Sequence, residues 1–241
     1  MKPKSEELEK AKRNAALEAV KHVKDGFVIG LGSGSTVVYA AEEIGRRIRV
    51  ENLHVKVVPT SYQAFMLAVK NGIPTTTLEE NPLLDLTIDG ADQIDKNLNL
   101  IKGMGGALTR EKIVAAASKA LIIIADWRKK AGTLGENGQL VPIEVLPFAV
   151  PLVIRRISML GGKSKVREGS GKVGPIVTDN GNFLIDVDFG LIENPAELEE
   201  KLKAIPGIVE TGLFVEMTDT VYLGRPDAVE ELKITAEARH L

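Results

Sequence analysis

Cysteine is absent from the 241 residues, which excludes disulfides, thiolate metal sites and a cysteine nucleophile. Aromatic residues make up only 4%, too few for the stacking platforms that hold single-stranded nucleic acid. Charge of one sign is also missing: 31 Lys and Arg are interleaved with 33 Asp and Glu, for a formal net charge of -2, whereas a general nucleic-acid binder concentrates basic residues. No apolar run approaches the ~20 residues that span a bilayer. The charged, helix-patterned opening MKPKSEELEKAKRNAALEAV lacks the apolar core of a secretory signal. These absences predict a cytoplasmic protein that binds neither nucleic acid nor membrane. What is present is 44% hydrophobic residues, enough to bury one large core or two modest ones.

Ser5, Glu6 and Glu7 open a helical pattern that carries Leu8, Ala11, Ala15 and Ala19 on one face and stops at Gly26. The apolar runs Phe27–Leu31, Val55–Val58, Leu83–Ile88 and Ala120–Ala125 then alternate with further helical patterns. That alternation predicts an α/β fold with a doubly wound, mostly parallel, Rossmann-like sheet. Each run leads into a polar or glycine-rich segment: Gly32–Thr36, Pro59–Ser61, Asp89–Asp92 and Asp126–Lys130. Ligands bind beyond the carboxyl ends of strands in such sheets, so the four segments are expected to share a crevice. After Gly132 turns become denser. Pro151–Leu160 and the Asn194-Pro195 start predict helices, Lys163–Arg167 and Phe183–Asp188 strands, and Thr178–Asn182 a hairpin turn. We therefore expect a smaller α+β domain at 133–206 and a catalytic α/β domain from 1–132 with 207–241. Ile208–Val215 and Thr220–Leu223 read as strands that return to the first sheet.

Gly32-Ser33-Gly34-Ser35-Thr36 joins a strand to a helix, so its backbone N–H groups and hydroxyls suit a phosphate at the positive end of that helix. It lacks the Gly-Lys-Ser/Thr of a P-loop. As a dinucleotide fingerprint it lacks the third glycine, where Ser35 stands, and the acid after the next strand, where Pro-Thr-Ser follows Val58. A small phosphate ester fits better than NAD, which disfavours a dehydrogenase. Asp89, Asp92 and Asp95 are spaced three and three, unlike the alternating ligands of a calcium loop, so no metal site is expected; Asp89 can equally cap a turn. Lys102 ahead of Gly103-Met104-Gly105-Gly106 is either a surface lysine or a cation for a developing oxyanion. Glu111 is either a favourable charge near a helix start or a general base. His22, His54 and His240 are scattered and take no role, and no nucleophilic triad is present.

In this order and spacing, Gly32–Thr36, Pro59-Thr60-Ser61, Asp89-Gly90-Ala91-Asp92 and Lys102-Gly103-Met104-Gly105-Gly106-Ala107-Leu108-Thr109-Arg110-Glu111-Lys112 closely resemble the ribose-5-phosphate isomerase family of the A type. The likeness continues through Ala125-Asp126, Lys129, Pro142–Val145 and Gly161-Gly162, most of the chain. It implies reversible conversion of ribose 5-phosphate to ribulose 5-phosphate without cofactor or metal. Glu111 would be the base that moves a proton between C2 and C1, Lys102 would stabilise the charged oxygen, and Asp89 would assist ring opening and proton traffic at oxygen. Substrate binding would involve Ser33, Gly34, Ser35 and Thr36, then Asp89, Gly90, Ala91 and Asp92, then Lys102, Gly103, Met104 and Gly105, with Lys129 and one of Lys10 or Lys12. Met104 departs from the family, where glycine is common. The resemblance also implies a ferredoxin-like smaller domain and a homodimer or homotetramer whose partner molecule is a sugar phosphate. A non-enzymatic sugar-phosphate-sensing module is the alternative, and it predicts binding without turnover.

Overall fold

The structure, a computed structural model, describes residues 5–171 and 173–233. In chain order the elements are α1 (Ser5–Val20), β1 (Val28–Leu31), α2 (Val37–Glu51), β2 (Lys56–Pro59), α3 (Tyr62–Lys70), β3 (Leu86–Asp89), β4 (Gln93–Ile94), β5 (Leu100–Ile101), α4 (Leu108–Ala116), β6 (Leu121–Asp126), β7 (Val141–Val145), α5 (Val150–Met159), β8 (Lys163–Val166), β9 (Phe183–Asp188), α6 (Pro195–Lys203), β10 (Ile208–Thr211), β11 (Leu213–Phe214), β12 (Thr220–Gly224) and β13 (Val229–Lys233). The chain clusters into two compact units. The first comprises Met1–Ala91, Arg110–Lys129 and Met217–Leu241; the second comprises Asp92–Thr109 and Lys130–Glu216.

The first unit is built on a six-stranded sheet in the order β13-β12-β6-β3-β1-β2, parallel except for β13 at the edge. Its central strands are continuous apolar runs because both faces are covered; β6, for example, is buried at every position. Side chains alternate between the faces. Ile29, Leu31, Ile88, Ile122 and Ile124 pack with Ala15 and Ala19 of α1, Ala41 and Ile44 of α2 and Ala64 and Ala68 of α3, while Val58 packs with Val114 of α4. Gly30 faces α4, where a Cβ would lie 2.0 Å from Thr87 Oγ1 and 2.5 Å from Val114 Cγ1. The sheet is thus doubly wound, as the alternating pattern predicts.

The last turn of α4 is tied to the beginning of β3. Leu84 N–H donates to the Ala117 carbonyl at 2.8 Å, and the Thr87 and Ser118 hydroxyls are 2.6 Å apart. Consequently the carboxyl end of α4 lies beside the beginning of β3.

In the second unit β7, α5, β8, β9, α6 and β10 follow one another into an antiparallel sheet of order β10-β7-β9-β8. This is the βαββαβ ferredoxin-like arrangement. Ile143, Val153, Ile157, Ile185 and Leu202 fill its core. A three-stranded sheet, β11-β5-β4, belongs to the same unit. One expectation is corrected here. Ile208–Val215 is not a single strand returning to the first sheet; it breaks at Gly212 into β10, which pairs with β7, and β11, which pairs with β5. Of the two predicted strands, Thr220–Leu223 alone rejoins the first sheet, as β12 parallel to β6. The cause is crowding at Gly212, whose N–H donates to the Pro142 carbonyl at 2.7 Å and where a Cβ would lie 2.3 Å from the Lys102 carbonyl oxygen. Among the described residues no helix is long and apolar enough to cross a membrane.

Candidate active site

Parallel strands deliver their carboxyl ends to one sheet edge, and in the first unit Leu31 of β1 is in register with Pro59 of β2 and Ile88 of β3. The segments that follow are joined by hydrogen bonds. The Ser33 hydroxyl is 2.8 Å from Thr60 Oγ1 and 2.6 Å from Ser61 Oγ. Ser33 N–H donates to Asp89 Oδ1 at 3.1 Å, and Gly34 N–H donates to Gln63 Oε1 at 2.9 Å. Ser61 also accepts from Ala64 N–H, capping α3. Three of the four predicted strand ends therefore form one connected group. At its centre Asp89 is 1% exposed and also accepts from Gly90 N–H at 2.7 Å, so it is both a turn cap and a buried carboxylate.

Ser35 and Thr36 open α2. Thr36 occupies the N-cap position without a side-chain capping bond, and the first N–H groups of a helix have no intrahelical acceptor. That is the local arrangement an anion needs. Gly34 has φ +112, a conformation that favours glycine. Glu111 lies in the first turn of α4 and is 4% exposed.

The fourth strand end is that of β6. Asp126 is buried and pairs with Arg128 Nε at 2.7 Å; Lys129, half-buried, ends the short 3-10 turn that follows. Lys12 pairs with Glu9 at 2.8 Å, and Glu9 accepts from the Tyr39 hydroxyl at 2.6 Å. Those two bonds, Lys12 first, hold the Glu9 carboxyl below the usual carboxylate range, against opposing pushes from desolvation and then Asp126. The bond to Glu9 in turn pushes the Tyr39 hydroxyl up to about 12. Lys10 is exposed.

In the second unit Lys102 directly follows β5 and is 2% exposed. Its N–H donates to the Gly212 carbonyl at 2.8 Å, and its ammonium lies 5.3 Å from the centroid of the Phe214 ring, a cation–π contact. Asp92 N–H donates to the Ile101 carbonyl, and Asp92 Oδ2 accepts from Met104 N–H at 2.9 Å. In the Gly103–Gly106 turn it is Gly103 and Gly106 that adopt positive φ, +97 and +82. Met104 does not, which is why a side chain is tolerated there without strain. Asp95 accepts from the N–H groups of Asn97 and Asn99, both at 2.8 Å, and so closes the turn between β4 and β5. Among the described residues no group of three His, Cys, Asp or Glu side chains could hold a metal ion.

Residue-by-residue reading gave Glu144 no role. It is fully buried on β7 and accepts from four neutral donors: Thr109 Oγ1 at 2.6 Å, Thr178 Oγ1 at 2.9 Å, Asn180 Nδ2 at 3.0 Å and Asn182 Nδ2 at 2.7 Å. The available signal was one acid inside the apolar run Val141–Val145 and a polar hairpin turn that needed an acceptor. His22 bonds to the Tyr222 hydroxyl at 2.7 Å and His54 to Asp25 at 3.1 Å; His240 lies outside the described residues.

The model of the family ribose 5-phosphate isomerase A, also called phosphoriboisomerase A, matches residues 56–228. The chain is 49% identical over 216 residues to the ribose-5-phosphate isomerase A of Methanosarcina acetivorans, covering 90% of this chain and 91% of that one. It is 45% identical to the human ribose-5-phosphate isomerase, covering 93% and 72% respectively. Among solved structures, a D-ribose-5-phosphate isomerase in complex with phospho-erythronic acid superposes with a TM-score of 0.92 at 41% identity, covering 94% of this chain and 99% of that one. The ribose 5-phosphate isomerase A of Methanocaldococcus jannaschii gives a TM-score of 0.90 at 45% identity, with the same coverage.

Proposed function

This chain belongs to the ribose 5-phosphate isomerase A family, and we propose that it is an aldose-ketose isomerase that interconverts D-ribose 5-phosphate and D-ribulose 5-phosphate through an ene-diolate, a step of the non-oxidative pentose phosphate branch. The observation that carries this reading is the burial of three ionisable side chains within Asp89–Glu111: Asp89, Lys102 and Glu111 are 1%, 2% and 4% exposed. Electrostatic interactions strengthen away from water, and these are the groups the reaction needs. Glu111 takes the proton from C2 of the open-chain aldose and returns it to C1. Lys102 stabilises the negative oxygen that forms between these steps, an electrostatic role that gains strength away from water. Asp89 moves the proton that ring opening and the exchange of carbonyl and hydroxyl require.

Asp92 orients sugar hydroxyls. Ser33, Gly34, Ser35 and Thr36, at the start of α2, hold the phosphate together with Lys129, and the backbone of Gly90, Ala91, Gly103, Met104 and Gly105 lines the sugar. Gly34 N–H and Met104 N–H already donate to Gln63 and Asp92, so their contribution is to the form of the loop. A phosphate held away from the reacting carbons keeps the open chain in a reactive pose. The phospho-erythronic acid bound to the relative solved with it, a phosphorylated sugar acid, is consistent with that choice of substrate. The chemistry assigned to these side chains uses neither cofactor nor metal. We place the protein in the cytoplasm as a homodimer or homotetramer.

The test is incubation of purified protein with ribose 5-phosphate in D2O. Ketose should form, with deuterium at the exchanging carbon positions. Tight binding of the sugar phosphate with no ketose from folded protein would instead establish the sensing module.

A further inference from the structure

Arg167 follows β8, and its side chain is only 11% exposed. Its Nε donates to Asp186 Oδ2 at 2.7 Å, and its Nη2 donates to Asp186 Oδ1. The other edge of the guanidinium faces the glycine-rich turn: Nη1 donates to the carbonyls of Gly103 at 3.2 Å and Met104 at 2.9 Å, and Nη2 lies 3.9 Å from Met104 Sδ. The backbone beneath it is fixed, since Arg167 N–H donates to the Leu184 carbonyl and its own carbonyl accepts from Ile176 N–H.

A planar fork gripped on one edge by a carboxylate offers its remaining N–H groups in a fixed direction. Peptide planarity transmits that direction. In a trans peptide the carbonyl of one residue and the N–H of the next point to opposite sides, and no cis bond occurs among the described residues. Holding the Gly103 carbonyl therefore aims Met104 N–H away from Arg167, and that N–H meets the Asp92 carboxylate at 2.9 Å. Holding the Met104 carbonyl aims Gly105 N–H away in the same manner. Glycine at 103, 105 and 106 leaves this backbone with the widest conformational freedom, so an external clamp has a real effect on it.

We propose that Arg167, locked by Asp186, is a positioning residue for the Lys102–Gly105 turn: it sets the direction of the Met104 and Gly105 N–H groups and, through the first of these, the orientation of Asp92. The inference rests on the reading that this turn serves the isomerisation, and the experiment separates the two. Lys102→Met tests the reading: unchanged turnover in that variant overturns the role of the turn and the clamp with it. Where Lys102→Met is inactive, Arg167→Ala is expected to keep a cooperative melt yet lose about 10- to 100-fold in kcat/KM, the scale on which a misplacement near 1 Å acts. Millimolar guanidinium should restore part of that loss and leave the wild type unaffected. Wild-type turnover in folded Arg167→Ala, or a loss that guanidinium does not relieve, overturns the clamp alone. If Arg167→Ala does not fold, Arg167→Lys decides, because an ammonium keeps the charge but its three donors on one atom cannot make the four planar bonds of the guanidinium. A fall of more than threefold in kcat in folded Arg167→Lys supports the proposal, and a smaller one overturns it.

Discussion

Gly32 and Asp89 occupy what would otherwise be the same space: a Cβ on Gly32 would lie 2.0 Å from Asp89 Oδ1 and 2.6 Å from its Cα. The glycine is thus explained by the acid that it admits, and the two belong to different strand ends. The order of motifs made both residues visible as candidates, but nothing local says that one makes room for the other. Glu111 is the converse case, since a glutamate in the first helical turn has an ordinary role beside the helix dipole and its burial is known only from the fold. Replacing it separates these roles. Glu111→Gln keeps size and hydrogen-bonding capacity, so ribose 5-phosphate should bind with little change while kcat falls about 10²- to 10⁴-fold. Steady-state kinetics measure this, and near-normal kcat in the variant would remove Glu111 as the base.

Two elements depend on single buried or half-buried acids. On β7, Glu144 gathers the hairpin turn at Thr178–Asn182 and the Thr109 hydroxyl at the start of α4. All its partners are donors, so Glu144→Gln turns an amide N–H₂ toward groups that also donate. Loss of about 1–3 kcal/mol is expected, read as a lower denaturant midpoint at constant m-value. A midpoint equal to wild type would mean that the hydroxyls and amides simply rotate to suit. Asp85 stitches the first sheet: it accepts from Lys119 Nζ at 2.7 Å and from Val28 N–H at 3.0 Å. Lys119 first, then Val28, hold its carboxyl below the usual carboxylate range. The unfolded chain therefore binds this proton more readily than the folded one. The stabilisation is complete above the unfolded pKa of ~3.9 and is lost as pH falls through the lower folded value. Asp85→Asn keeps an acceptor for Val28 and loses the ion pair, at a cost of up to about 1 kcal/mol. The melting-temperature gap between wild type and variant should hold steady from pH 7 to about 5 and narrow below about 4; a gap that widens in acid would contradict this assignment.

For the whole molecule, the apolar side chains left in water are informative. Tyr62, Met66 and Val69 recur along α3 and are 64%, 69% and 60% exposed, a stripe of the kind that a partner surface covers. If the proposed homo-oligomer uses it, Met66→Glu should shift the mass measured by light scattering toward the monomer while the melt stays cooperative. An unchanged mass would exclude this stripe from the interface.

The strands β1, β2, β3 and β6 could be read in advance because each is an apolar run closed by glycine or polar residues, and so could the helix starts at Ser61 and Asn194, where a side chain caps its own backbone. The same local chemistry placed Asp89, Lys102 and Glu111 among the candidates. β4 and β5, two residues each, are too short to display a period, and β7 hides behind Pro142, which argues against a strand until one sees that β10 pairs with it only from Ile143 onward. The switch of sheets at Gly212, the grip of Arg167 on Gly103 and Met104, and the four donors around Glu144 came only from tertiary structure. Each joins segments far apart in the chain. Periodicity, capping and turn chemistry act over a few neighbouring residues, whereas a buried carbonyl or carboxylate takes its partner from whichever segment the fold brings within 3 Å.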